Sequence, residues 1–290
     1  MRLKFKQWEN TTTDTVMLGF VELFRINRIP TKPDWSGSLW RTVMILIVIG
    51  TLIASGWGSS TIRAMKVLFA GERPAPFIDA SKVELYAASV RDDVLLTVLA
   101  VGVFLIFRGP ERARPKLSIS VKAYFVYPLL VTLGTLTQRL FAWIPGFDVT
   151  IRGEPYLEPG VPQTLYIADA ALAGPTEELV LMAILVVAGR RLGYSWAMIL
   201  LAAVIVRVPF HLYYGWAALG LSVWAVLVVL LYRRTNALLP LVLGHTTWNV
   251  MVDLELGIVL GLFSAAGLVI AGLSLHRCGK TVVESRQVGS

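Results

Sequence analysis

Long apolar segments limit more than any other feature how this chain can fold. Eight of them approach the length of about 20 residues that a helix needs to cross a bilayer, and they run at about 40–57, 88–107, 119–140, 163–189, 195–214, 216–232, 237–253 and 256–275. Only 16% of the 290 residues are charged, whereas soluble domains carry about 25%. We therefore predict an all-α, polytopic membrane protein with about eight transmembrane helices.

Basic residues predict the orientation of these segments, because Lys and Arg are enriched in cytoplasmic loops. Eight crossings place the basic regions on one side of the membrane: the N-terminal segment, the loop RGPERARPK at 108–116, Arg190–Arg191, Arg233–Arg234 and the C-terminal tail. The outer loop between the first two predicted spans mixes both charges. We expect a multi-pass protein of a bacterial plasma membrane with both termini in the cytoplasm. The net charge of +8 is assigned to the membrane face, so no nucleic-acid partner is expected.

The same pattern predicts three regions. Residues 1–39 form a cytoplasmic N-terminal segment, in which 16–24 are an amphipathic candidate for an interfacial helix. Residues 40–275 form the transmembrane domain, and residues 276–290 form a cytoplasmic tail.

Two adjacent carboxylates interrupt the fourth apolar segment, in the stretch GPTEELVLM at 174–182. A charged group at the bilayer centre costs at least about 2.5–3.5 kcal/mol, so such groups usually have a function or a charged partner. Glu177 and Glu178 are about 100° apart on a helix and cannot point the same way. One is therefore expected to do chemistry while the other anchors, although an ion pair that fastens the helix bundle would also explain the pair.

Two later segments carry polar side chains at helical spacing. Arg207 and His211 are four residues apart in RVPFHLYYG, where Pro209 is expected to kink the helix, and His245 and Asn249 are four apart in GHTTWN. Taken singly, a lone histidine is as typical of hydrogen bonds between helices as of catalysis, and the pair of His245 and Asn249 is more typical of such hydrogen bonds. Together with the glutamates they supply a base, a second acid, a cation, two imidazoles and an amide, which suffice to activate water and bind an oxyanion.

The order of these groups resembles a known family. Glu-Glu, a lone His and then His-x-x-x-Asn on successive membrane helices is similar to the CPBP family of intramembrane glutamic endopeptidases, the CAAX-protease and bacteriocin-processing proteins also called Abi. The resemblance covers about residues 165–253. The HxxxN motif is met in full, and the glutamates of EExxxR and the histidine of FxxxH are present.

Two positions depart from the family motifs. Met182 stands where EExxxR has arginine, and Arg207 stands where FxxxH has phenylalanine. We expect Arg207 to supply the missing charge from the neighbouring helix by pairing with Glu178, which would leave Glu177 free.

The resemblance implies a role for each residue. Glu177 is the general base that takes a proton from water, aided by His211, and Glu178 is structural or secondary. His245 and Asn249 polarise the scissile carbonyl and bind the oxyanion. The partners implied are a peptide or protein substrate, lipidated in some relatives, and the lipid bilayer. No cofactor is required, although a glutamate and two histidines also leave a zinc site open.

Two other classes of function compete with the protease. A non-catalytic membrane scaffold or bacteriocin-immunity protein would use the same fold to bind a partner. A transporter would use buried Glu and His to relay protons, although the chain shows no matching halves with interrupted helices.

Overall fold

The computed structural model describes residues 58–70, 82–108, 115–147, 161–191 and 193–287, together with Val43, Leu46, Ile47 and Gly50. No strand occurs within these residues, and the all-α class is confirmed for them. The helices are α1 (Ser59–Ala70), α2 (Lys82–Arg108), α3 (Leu117–Phe141), α4 (Gln163–Glu178), α5 (Trp196–Phe210), α6 (Ser222–Thr235), α7 (Leu238–Asp253) and α8 (Gly257–Gln287). A π-helix at Leu179–Ala188 and one α-helical turn at Gly189–Arg191 continue α4, and 3-10 turns at Leu212–Tyr214 and Trp216–Leu221 connect α5 to α6.

In the part of the chain that the structure describes, four helical stretches are long and apolar enough to cross a membrane. They are Leu117–Phe141, Gln163–Ala188, Trp216–Thr235 and Gly257–Ser274. Helix α5 is apolar but shorter, and α2, with its charges at Arg91 to Asp93, and the 16-residue α7 are not among the four. A membrane protein with several spanning helices is thus supported, while the count of eight stays a prediction. The predicted N-terminal segment, its interfacial helix and almost all of the first predicted span lie outside the described residues.

Helix α1 was not predicted, because its residues lie in the outer loop expected between the first two spans. Ile62, Met65 and Phe69 are 60%, 44% and 67% exposed and recur every three or four residues, so they form an apolar stripe on one face. Such a stripe is typical of a helix that contacts lipid at the bilayer surface. Phe69 also packs edge-on against Trp216, with 5.3 Å between the ring centroids, which connects α1 to the turn before α6.

The core of the molecule lies along α4 and its π-helical continuation, which contact α2, α5, α6 and α7. Nearly all described side chains of the π-helix are buried, including Met182 at 1% exposure. By contrast, α8 lies at the periphery, and only 6% of its apolar stretch Gly257–Ser274 is buried. It is joined to α3 by a hydrogen bond of 2.9 Å between the hydroxyls of Thr132 and Ser264.

Helix α5 ends earlier than the predicted span. Ser195 caps its start by accepting a hydrogen bond from the backbone N–H of Met198, and the helix ends at Phe210, one residue after Pro209. Proline removes a backbone donor and clashes with the preceding turn, which weakens the last turn of α5. The helix then ends in 3-10 geometry, with the N–H of His211 bonded to the carbonyl of Val208, whereas a kink in a longer helix was predicted. His211 is the C-cap, and the 3-10 turn follows it.

A glycine allows α4 and α7 to approach closely. A Cβ atom on Gly174 would lie 2.7 Å from the backbone nitrogen of Thr246, and the Thr246 hydroxyl donates a hydrogen bond of 2.9 Å to the carbonyl of Ala171. This contact brings the turn of α4 that carries Glu177 and Glu178 beside the turn of α7 that carries His245.

We predict that Gly174→Ala lowers the free energy of unfolding by about 1–3 kcal/mol, the usual cost of forcing an extra group into a packed site. The added methyl group meets the backbone of α7, which cannot rotate away as a side chain can. Thermal or denaturant unfolding in detergent measures the change.

Gly261→Ala on α8 is the matched control, because nothing lies within 4 Å of the added Cβ atom. It should leave stability unchanged or raise it by about 0.5–1 kcal/mol, since alanine favours a helix over glycine. Equal losses in both variants would contradict the close packing of α4 on α7.

Candidate active site

One carboxylate oxygen joins three helices at the centre of the bundle. Glu178 Oε1 accepts hydrogen bonds from the Tyr127 hydroxyl at 2.6 Å, from Arg207 Nη2 at 2.5 Å and from His245 Nδ1 at 3.0 Å. These donors come from α3, α5 and α7. Glu178, Tyr127 and Arg207 are each 0% exposed. A buried carboxylate is stable only with such partners, because an unpaired buried charge costs several kcal/mol.

Arg207 contacts both glutamates. The same Nη2 atom that bonds Glu178 lies 3.3 Å from Glu177 Oε2, and the guanidinium lies over the Trp224 ring, 3.5 Å from its centroid. The predicted pairing of Arg207 with Glu178 is confirmed. The prediction that Glu177 is left free is wrong, because the two adjacent residues on α4 both reach one guanidinium.

The two glutamates nevertheless differ in burial. The side chain of Glu177 is 15% exposed, whereas that of Glu178 is fully buried. Glu177 is therefore the carboxylate that a water molecule or substrate can approach.

Both histidines use Nδ1 inside the protein. His211 Nδ1 lies 2.9 Å from the backbone carbonyl oxygen of Arg207, one helical turn earlier. A carbonyl and a carboxylate beside arginine can only accept, so Nδ1 carries a hydrogen in both rings, and Nε2 can accept a proton wherever the ring is neutral. The rings meet Trp224 edge-on, with 5.7 Å between centroids for His211 and 5.5 Å for His245.

Further charges surround His211 and Glu177. Glu177, Arg207 and His245 all lie close enough to His211 to interact with it electrostatically. Asp93 on α2 interacts in the same way with Asp169 on α4 and with Glu177. Glu177 is therefore near other acidic groups as well as near Arg207.

Asn249 lies one helical turn beyond His245 on α7 and is partly buried. The contacts that connect the other five predicted site residues do not include it. The structure thus brings Glu177, Glu178, Arg207, His211 and His245 together through direct bonds or a shared neighbour, and Asn249 through its register on α7 alone.

Several polar atoms of the site are buried without a hydrogen-bond partner among the described residues. They are Glu178 Oε2, Arg207 Nε, Arg207 Nη1 and Trp224 Nε1. Buried polar atoms of this kind normally bind water or a ligand. The site therefore offers N–H donors of Arg207 and Trp224 and one carboxylate acceptor to water or a polar ligand.

The ligand set that the sequence left open for zinc is not grouped as metal ligands would be. Among the described residues, no three of His, Cys, Asp and Glu have the arrangement of a metal site.

Sequence reasoning missed Tyr127 and Trp224. Trp224 is 4% exposed and touches Arg207, His211 and His245. Both lie in apolar segments without a motif, and tyrosine and tryptophan are common in membrane helices as interfacial anchors. The one available signal was a tyrosine well inside a predicted span, since a buried phenolic hydroxyl needs a partner.

Comparison with known proteins finds a family model that resembles part of this chain. Residues 161–251 match the family model described as type II CAAX prenyl endopeptidase Rce1-like. The resemblance to the CPBP family of CAAX proteases is confirmed. The match contains all six predicted site residues but not Tyr127, and it supports a CAAX-protease-like intramembrane peptidase in general terms. No curated protein and no solved structure matches the chain.

We predict that Arg207→Gln lowers the free energy of unfolding by about 3–5 kcal/mol, the cost of removing one partner of a buried ion pair. The variant leaves the fully buried Glu178 without its cation. Chemical unfolding in detergent, followed by tryptophan fluorescence, measures the loss.

Arg233→Gln is the control for the ring contact. Arg233 lies over the Trp196 ring at 4.3 Å near the end of α6, and such a contact near the surface contributes about 0.5–1 kcal/mol. A loss for Arg207→Gln no larger than that for Arg233→Gln would show that the pair with Glu178 contributes no special stability.

Proposed function

We propose that the chain is a membrane-embedded glutamic endopeptidase in which Glu177 activates the hydrolytic water. The observation that carries this proposal is the unequal burial of two adjacent glutamates around one arginine. Glu178 is enclosed by three donors, while Glu177 keeps part of its surface exposed beside the same guanidinium. A general base has to come within hydrogen-bond reach of the water it activates, and Glu177 is the glutamate of the pair with an exposed surface.

The first step is the attack of water on the scissile carbonyl. Glu177 accepts one proton from water as the oxygen bonds to the carbonyl carbon. His211 Nε2 accepts a hydrogen bond from the same water and orients it, since the carbonyl of Arg207 holds the Nδ1–H tautomer.

The tetrahedral intermediate then needs donors for its negative oxygen. We assign this role to His245 and the side-chain amide of Asn249. Because His245 Nδ1–H is bonded to Glu178, Nε2 can donate only if it also carries a hydrogen. In this proposal His245 enters the step with a hydrogen on both ring nitrogens and keeps both through it, so the proton count of the reaction is unchanged. Glu177 returns its proton to the leaving amine nitrogen as the C–N bond breaks, which restores the site.

The remaining parts of the proposal concern the setting of this chemistry. The chain crosses a bacterial plasma membrane eight times, with both termini in the cytoplasm, and residues 165–253 carry the reaction within a transmembrane domain at 40–275. Residues 1–39 and 276–290 are cytoplasmic. The substrate is a peptide or protein, with or without a lipid, and no nucleic acid takes part.

One observation favours the alternative of a non-catalytic scaffold or immunity protein. Arg207 binds both glutamates. A buried ion pair between helices can have a purely structural role, in which it holds the bundle together. The two functions differ in what happens when Glu177 loses its charge but keeps its shape.

We predict that Glu177→Gln lowers kcat at least about 100-fold, the smallest effect expected when a general base is removed. The amide cannot accept the proton from water. Cleavage of a fluorescence-quenched, prenylated CAAX peptide in proteoliposomes, beside its unprenylated form, measures the loss and the need for the lipid.

Asp92→Asn is the control, because Asp92 is an exposed carboxylate of α2 that pairs with Arg91. It should keep full activity. Cleavage by a folded Glu177→Gln variant would exclude the proposed mechanism. A biological phenotype that this variant retains would favour the scaffold.

We further predict that Asn249→Ala lowers kcat by about 10²- to 10³-fold, as removal of one oxyanion donor does in other hydrolases. KM should change little, because the donor bonds most strongly to the charge that develops in the transition state. Steady-state kinetics with the same peptide separate the two constants. An effect on KM alone would instead assign Asn249 to substrate binding.

A further inference from the structure

We propose that Tyr127, which lies on α3 outside the residues matched by the family, is a positioning residue of the active site. Its hydroxyl holds the carboxylate of Glu178, and its ring holds the imidazole of His245. This role rests on the proposed function, in which His245 binds the oxyanion.

The hydrogen bond from the Tyr127 hydroxyl to Glu178 is short and fully buried. Tyr127 is 0% exposed, and its O–H donates to Glu178 Oε1 over 2.6 Å. Bonds from a hydroxyl to a carboxylate are among the strongest that a protein makes. With Arg207 and His245, Tyr127 completes three donors on one oxygen, which leaves the carboxylate a single orientation. Without the hydroxyl, the carboxylate can rotate so that Oε2 takes the place of Oε1, because Oε2 has no partner among the described residues that would hold it.

The ring contact fixes the second partner. The rings of Tyr127 and His245 stack, with 5.5 Å between centroids and 27° between planes. The space for the phenol ring depends on Gly244, since a Cβ atom there would lie 2.8 Å from Cβ of Tyr127. The residue before the histidine therefore has to be small for α3 to reach the site.

These two contacts act on the same hydrogen-bonded pair, Glu178 and His245. Glu178 determines which nitrogen of His245 is used inside the protein and which faces the substrate. Tyr127 restrains both members of that pair, and in the proposed mechanism it does not touch the substrate itself. Loss of its hydroxyl should therefore reduce kcat and leave KM nearly unchanged.

The test compares Tyr127→Phe with Tyr124→Phe. Tyr124 lies three residues earlier on α3 and bonds the hydroxyl of Thr247 on α7 at 3.0 Å. Both variants keep a ring and delete one hydroxyl bond made by α3, which in Tyr127→Phe is the bond to Glu178 on α4 and in Tyr124→Phe is the bond to Thr247 on α7. We expect Tyr127→Phe to lower kcat by about 10- to 100-fold, the range that loss of a charge-assisted hydrogen bond implies, and Tyr124→Phe to stay within about twofold of the wild type.

A second readout does not depend on activity. The chain has three histidines, His211, His245 and His276, so nitrogen NMR of histidine-labelled protein in detergent resolves each ring. Tyr127→Phe should shift the ring nitrogens of His245 and leave those of His276 unchanged, while Tyr124→Phe should shift neither. This arm tests the positioning role even if Glu177→Gln shows that the proposed function is wrong.

Two results would overturn the proposal. One is an equal effect of both tyrosine variants on kcat, which would indicate a structural hydroxyl. The other is an unchanged His245 spectrum in Tyr127→Phe. Should Tyr127→Phe not fold, Gly244→Ala displaces the ring and keeps the hydroxyl, and it must then lower kcat and shift the His245 signals while Gly261→Ala does not.

Discussion

The buried ion pair between Arg207 and Glu178 is the interaction on which the rest of the site depends. Both side chains are fully buried, and removing two charges from water is costly unless each is paired and hydrogen-bonded. The other contacts meet part of that requirement: a tyrosine and a histidine donate to the same carboxylate, and the face of Trp224 covers the guanidinium. Glu178 Oε2 and two guanidinium nitrogens are still without a partner among the described residues. The site is therefore one connected polar network inside an apolar bundle, and each member restrains the next.

The position of the arginine explains both departures from the family motifs. The motif arginine would stand at Met182, which here is 1% exposed in the π-helix that follows Glu178. Arg207 supplies the charge from α5 instead. It stands one turn before His211, and its own carbonyl accepts from that histidine. One residue thus pairs with both glutamates through its side chain and orients the histidine through its backbone.

Helical periodicity made part of this predictable. The spacing of Arg207 and His211 placed them on one face, and the family motif, whose arginine is replaced here by Met182, led to the predicted pairing of Arg207 with Glu178. Local rules did not predict where α5 ends, the π-helix after Glu178 or helix α1. Those features depend on contacts made far along the chain, such as Phe69 against Trp216. For the same reason motifs and spacing did not predict that Tyr127 and Trp224 belong to the site.

The sequence by itself determined an all-helical membrane protein and the order of its polar groups, because hydrophobic length and the 3.6-residue period are properties of each segment alone. Tertiary structure decided which glutamate is enclosed and which stays accessible, that one guanidinium reaches both, and that α3 contributes a tyrosine. These outcomes depend on which helix faces meet and how closely. Glycines such as Gly174 and Gly244 set that distance through atoms about 70 and 120 residues away in the chain, and no local pattern records such a pairing.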